Sequence, residues 1–409
     1  MTTPETTIET TSEPPVPAPK PPLWTPERLL WGLGVLGLLI GGYGLYLHFT
    51  EGLRITALGS FVPWGLGVAM YVYFVWLEVG TVLLFTVLVY VFKWNTLLPG
   101  MARMVYLAAL AFLTMALIMI GMDLGHPFRF WHVLAYPQWN SLITWMFWLH
   151  VVYMALLLIK LFLEWRPVPA RWAWLGTWLS YLGLPLGIAL IVVVGGVFGV
   201  VIGRPAWQGS ALPIYFLLSA MVAGAGLLTF EFVWFWPQRQ GTDYVSTARR
   251  LGNLLLGLLI VALISTILIG TTILYPGVPA QATALQLTLF GPYWWVFWVF
   301  FGGFGVLVPI IALITPSQNA RRIGLAAGLV ILTFIAVPLN VVIPPQLVIE
   351  VVEKGLVTAY TGPGLLPAYF PTWAEWLLAL FALSLGFLIF MFGYHILQLR
   401  PQAKVTEGQ

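Results

Sequence analysis

Ten apolar runs, each near the length needed to cross about 30 Å of hydrocarbon as a helix, leave this chain little choice but to fold within a bilayer. They cover roughly 29–49, 63–92, 103–122, 141–163, 172–203, 212–236, 251–275, 290–314, 322–343 and 373–398. The basic residues then fix the threading. Lys20 and Arg28 precede the first run, and Arg400 and Lys404 follow the last. The even-numbered connections carry Lys93, Arg103, Lys160, Arg166, Arg171, Arg239, Arg249, Arg250, Arg321 and Arg322, so this side holds fourteen basic residues. The other side has four: Arg54, Arg129, Arg204 and Lys354. Basic loops stay in the cytoplasm, which places both termini inside and the odd-numbered connections outside. One missed helix would scramble that alternation.

Composition narrows the function classes. With 60% hydrophobic and 8% charged residues, a soluble fold is excluded, and no large extramembrane catalytic domain fits. The net charge of +4 sits on the inner connections, so it reports topology and not nucleic-acid binding. Cysteine is absent, so the chain holds no thiolate-ligated iron–sulfur cluster and no disulfide; such a cluster belongs to a partner. The Thr-, Glu- and Pro-rich start lacks the basic head and apolar centre of a cleaved signal, and reads as a disordered cytoplasmic tail before an uncleaved first helix. The expected layout is a tail (1–28), a peripheral first helix with its outer loop (29–62), two four-helix units (63–203 and 212–343), an outer loop with the tenth helix (344–398), and a second tail (399–409). A faint internal echo supports the two units: the first helix of each carries one glutamate, Glu78 and Glu231.

Ionisable groups inside a bilayer cost about 3 kcal/mol or more, so each needs a reason. Glu78, halfway along the second run, is a candidate proton-relay carboxyl; the alternative is a structural acid bonded to a neighbouring helix. Glu231, nearer the cytoplasmic end of the sixth run, carries the same two readings. His150, within the fourth run, is a candidate relay between the outer face and Glu78, or a satisfied core histidine. At the outer end of the third run, Asp123, His126, Arg129 and His132 lie within ten residues of one another, suited to a polar head group or to a plain Asp123–Arg129 pair. Trp64, Phe130, Trp131, Tyr136 and Trp139 form an interfacial aromatic belt there, or the walls of a flat slot such as a quinone ring needs. A bis-histidine haem finds no good pair among the five histidines, His48 with His132 being the only candidate.

The run Asp123-Leu-Gly-His-Pro-Phe-Arg129-Phe-Trp131 resembles the Asp-Leu-Gly-Arg-Pro-x-Arg-Phe-Trp signature of the NrfD family, the membrane subunits of polysulfide reductase and its relatives. Pro63-Trp64-Gly65-Leu66, Asn140-Ser141, Phe230-Glu231 and Ala368-Tyr-Phe-Pro-Thr-Trp-Ala-Glu-Trp376 are similar to further stretches of its longer members. The resemblance implies an all-α membrane protein of ten helices, with helices 2–5 and 6–9 as two four-helix bundles flanked by helices 1 and 10. It implies a haem-free subunit that docks an extracytoplasmic four-cluster iron–sulfur protein and works with a catalytic subunit. Electrons would pass between those clusters and menaquinone or ubiquinone near the outer face of a bacterial cytoplasmic membrane. Departures are visible: His126 stands for an arginine, Trp145 for a glutamate of some members, and Glu78 where small residues are usual.

The leading expectation is thus a quinone-reactive subunit of a respiratory oxidoreductase. Asp123, His132, Arg129, Trp64 and His126 would bind the quinone, and Glu78, His150 and Glu231 would carry protons. A secondary transporter, suggested by the buried acids and by Pro185, Pro309 and Pro338, and a passive membrane anchor are the alternatives.

Overall fold

The computed structural model describes residues 26–166, 169–208, 211–236, 242–275, 277–315, 319–348, 368–397 and 399. Among the described residues, ten helices are long and apolar enough to cross a membrane: α1 (Glu27–Ile55), α2 (Leu66–Val91), α3 (Ala102–Met122), α4 (Leu142–Trp165), α5 (Ala173–Gly199), α6 (Ala211–Phe235), α7 (Asp243–Leu274), α8 (Val296–Ile314), α9 (Ala320–Leu347) and α10 (Trp373–Ile396). The expected tails lie outside the described residues except at their edges, as does most of 344–372. The odd-numbered connections gather at one end, called the odd face below. There Arg204 donates to the carbonyls of Phe61, Gln346 and Val348, and Gln281 donates to that of Pro205. At the opposite, even face, Glu27 at the start of α1 pairs with His395 at the end of α10.

Helices α2, α3, α4 and α5 touch in a ring, and α6, α7, α8 and α9 form a second group. The two groups meet chiefly where α6 lies against α2 and α5, while α1 packs along α10 and α10 along α3. Helix α2 is therefore surrounded by protein: of Leu66–Thr86, every residue but Gly67 is buried. The closest approach is between α2 and α6. A Cβ on Gly80 would overlap the Ala220 carbonyl, and one on Gly224 the peptide joining Gly80 to Thr81. Without a hydrophobic drive between helices in lipid, backbone contact of this kind supplies the van der Waals attraction.

Three features go beyond what hydropathy predicts. Helix α7 begins before Arg249 and Arg250, so these sit on its first turns and not in a connection. A short helix, Pro279–Phe290, precedes α8 on the odd face. Val296–Leu307 of α8 is wound as a π-helix, a form that hydropathy does not encode.

Gly80→Ala and Gly224→Ala should each lower the melting temperature of the detergent-solubilised protein, since overpacking costs about 1–3 kcal/mol. Gly42→Ala, with open space around its Cβ, should leave it unchanged or raise it. Equal behaviour of all three would show that the two helices are not in contact.

Candidate functional site

The start of α2 lacks a side-chain cap of its own, and a residue about 300 positions away serves the purpose. The Leu66 N–H donates to the Tyr369 hydroxyl (2.6 Å), and that hydroxyl donates to Glu375 Oε2. Glu375 Oε1 accepts from the N–H groups of Ala57 (2.7 Å) and Thr372 (3.3 Å). Thr372 completes a reciprocal capping box at the head of α10, accepting from Glu375 N–H and donating to the Ile55 carbonyl (2.7 Å). Gly65 has to be glycine here, because a Cβ would run into the Tyr369 hydroxyl. The polypeptide thus binds the odd-face ends of α1, α2 and α10 through one buried acid.

Asp123 joins this cluster. It ends α3, and its Oδ1 lies 3.3 Å from where a Cβ on Gly67 would stand, against the first turn of α2. Burial pushes its carboxyl up to about 7, with the nearby Glu375 charge adding to the effect. Tyr369, pushed up by burial and then by Glu375, stays a phenol. Beside Leu66 lies a slot of about 60 Å³ lined by Asn340 and otherwise by apolar and aromatic side chains, including Tyr293, Trp295, Phe370 and Trp376. Tyr293 and Phe370 stack at 6.2 Å, and burial followed by the Glu375 charge pushes the Tyr293 phenol up to about 12. A proton acceptor poised near neutrality against the same first turn of α2 that lines an aromatic slot is an arrangement suited to proton-coupled chemistry on a ring.

The structure divides the residues singled out from sequence. Asp123 is in the cluster, but its neighbours come from α2 and α10 and not from the stretch that follows it. His126, Arg129 and His132 are exposed on that stretch, and among the described residues Asp123 makes no ion pair with Arg129. His132 rests on Trp131 (4.2 Å between ring centroids). Trp64 turns the other way: its backbone is held by Gln346, and its ring stacks on Trp207 at 5.3 Å. Tyr369 and Glu375 were not singled out, although they lie within the matched stretch 368–376; nothing local marks Tyr293. Among the described residues, no three His, Asp or Glu side chains converge as a metal site would require.

A second set runs down the first ring of helices. Glu78 is fully buried about 18 Å below the start of α2, and neither carboxyl oxygen has a partner. Tyr71, two turns nearer the odd face, approaches His150 Nε2 at 3.5 Å, and His150 Nδ1 donates to the Met146 carbonyl (2.7 Å). On the same stripe of α4 follow Tyr153, whose buried hydroxyl is unpartnered, and Lys160. Lys160 is fully buried, not an inner-surface charge as its count with the even connections implied. Its ammonium donates to Glu164 (3.3 Å) and the Gly176 carbonyl (2.9 Å) and lies 5.2 Å from the Tyr106 ring centre. Glu231 is also buried and unpartnered, but it is apart from this string. Gly80 and Gly224 abut, so the two glutamates stand about 13 Å apart along the helix axes.

A profile of the polysulphide reductase family NrfD matches residues 55–350. The chain belongs to the NrfD family. It is 31% identical over 377 residues to a selenate reductase subunit of Mesobacillus selenatarsenatis, covering 83% of this chain and 86% of that one. The Hdr-like menaquinol oxidoreductase integral membrane subunit of Archaeoglobus fulgidus is 26% identical over 388 residues, covering 90% and 92%. A putative dimethyl sulfoxide reductase membrane subunit of Halobacterium salinarum is 30% identical over 216 residues, about half of each chain. Ten apolar helices and membership in NrfD make this a multi-pass integral membrane protein.

In this NrfD protein the Asp123 carboxyl should titrate near pH 7, protonated below and ionised above. Infrared difference spectra against Asp123→Asn should isolate its carboxyl band. Glu375→Gln should move the midpoint down, because it removes a neighbouring negative charge. A midpoint in the ordinary carboxylate range would dismiss the cluster as an electrostatic unit.

Proposed function

We propose that this chain is the quinone-reactive membrane subunit of a multisubunit respiratory oxidoreductase, placed in a bacterial cytoplasmic membrane with both termini inside. The observation that carries the reading is Asp123: a carboxyl poised near neutrality against the first turn of α2, whose Leu66 lines an aromatic slot at the odd face. The names of the relatives, subunits of reductases and of a menaquinol oxidoreductase, agree with it. In this reading the odd face is the outer one, the two groups of helices are the family's two bundles, and Asp123 takes the proton of a quinol hydroxyl as the electrons leave. Two electrons and two protons leave each quinol, the electrons for the iron–sulfur partner and the protons one after the other through Asp123, and the same groups run in reverse for quinone reduction. Tyr369 and Glu375 hold the head of α2 in place, and the Glu375 charge helps keep the Asp123 carboxyl near neutrality. The exposed stretch with His126, Arg129 and His132 offers hydrogen-bonding and basic groups to an extracytoplasmic iron–sulfur partner, which passes electrons to or from a catalytic subunit. Trp64 braces the site through its stack on Trp207.

The string His150–Tyr71–Glu78–Tyr153–Lys160 gives protons a route from the site toward the even face, with Glu231 as a separate buried acid in the second group. Its unpartnered carboxyl and phenol oxygens are free to accept mobile protons or water.

In the intact complex, Asp123→Asn should slow quinol turnover about 100-fold or more and abolish the rise in rate with pH through 7, since only the carboxylate accepts a proton. Unchanged turnover would remove the reading. Glu78→Gln and Lys160→Met should leave quinol turnover with an artificial acceptor near wild type while abolishing any proton movement across vesicle membranes. Equal proton movement in wild type and both variants would assign these residues a structural role.

A further inference from the structure

The second group of helices encloses a cavity of about 340 Å³ that the reading above does not use. Its walls come from α6, α7, α8, α9 and the short helix Pro279–Phe290. Tyr215 lies one turn into α6 and Thr266 two turns before the end of α7, so the cavity sits in the odd-face half of the protein. None of Asp123, Tyr369 and Glu375 borders it. Trp207 and Asn340 do, and Asn340 also borders the slot beside Leu66.

The walls carry a consistent chemistry. Phe297 and Phe301 project from the π-helical part of α8 with ring centroids 5.5 Å apart. Such windings are uncommon and concentrate at functional sites. The Thr266 hydroxyl donates to the Ala262 carbonyl (2.9 Å), so the Tyr215 hydroxyl, 3.1 Å away, donates to Thr266 and keeps its own oxygen free to accept. The Asn340 amide has no hydrogen-bond partner among the described residues and offers both a donor and an acceptor. No charged side chain stands among the described wall residues, so a phosphate head group would find no counter-charge. An uncharged, flat ligand with polar groups on its rim satisfies all of these conditions.

We infer that this cavity is a second quinone site, separate from the one at Asp123, in which Asn340 donates to a ring carbonyl and the Tyr215 oxygen accepts from the hydroxyl of the reduced form. The ring lies against Phe297 and Phe301, and the apolar tail leaves toward lipid. The choice of ligand rests on the proposed function; the place does not.

The test is photolabelling of the detergent-purified complex with an azido-naphthoquinone bearing a short isoprenoid tail, followed by peptide mapping. Two groups of adducts are expected, one around residues 66 and 370–376, the other in α6–α8. Thr266→Phe, which fills the cavity, should reduce the second group at least about tenfold and leave the first unchanged. Tyr215→Phe, which removes only an oxygen, should weaken competition by unlabelled quinol at the second group about fivefold. Asp123→Asn should leave the second group intact. Adducts in the first group alone would overturn this inference and leave the proposed function standing. Adducts in neither group would overturn both. Second-group labelling that survives Thr266→Phe, or a phospholipid retained there by native mass spectrometry, would also overturn the inference.

Discussion

Helix α2 can carry a carboxyl in mid-membrane because its stretch Leu66–Thr86 is enclosed by protein. The backbone contact of Gly80 with Ala220 and Gly224 draws α6 against one side of it, while α3, α5 and α9 close the others. A charge-bearing side chain facing hydrocarbon would have to snorkel or be neutralised. One facing protein can be served by tyrosines, a histidine and trapped water. Glu78, Tyr71 and their neighbours on α4 depend on that enclosure. The first turn of α2 depends on it as well, since its Leu66 N–H is served by Tyr369 and Asp123 lies against its Gly67.

The same enclosure explains why the odd face is built from distant pieces. A helix end in or near a bilayer must have its backbone groups satisfied by protein. Here the segment before α10 satisfies the head of α2, Gln346 satisfies Trp64, and Arg204 gathers three carbonyls from two connections. Each of these bonds ties together described residues that lie more than a hundred positions apart in the chain.

Some of this was legible beforehand. The ten crossings follow from hydropathy and length, and the motif around Asp123 led to the correct family. Asp123, Glu78, His150 and Glu231 stand out because ionisable residues are rare in apolar runs. Lys160 stood in the same category, yet counting it with the inner loops hid its burial. His126, Arg129 and His132 were grouped with Asp123 by proximity in sequence. In the fold the chain turns away after α3 and leaves them exposed, while Glu375 arrives from the first turn of α10 and Tyr369 from the segment just before it.

The chain's linear order fixed the ten membrane-length runs, where most of their helices begin to within a few residues, and which few polar groups needed a reason to be there. The tertiary structure decided which helix is enclosed. Leu66–Val91 is less apolar than Asp243–Leu274, yet the first is almost wholly buried and the second largely exposed. Hydropathy cannot separate the two, because lipid tails and a protein interior are equally apolar and a helix is soluble in either. Only packing tells them apart, and packing is set by where small residues let two backbones meet.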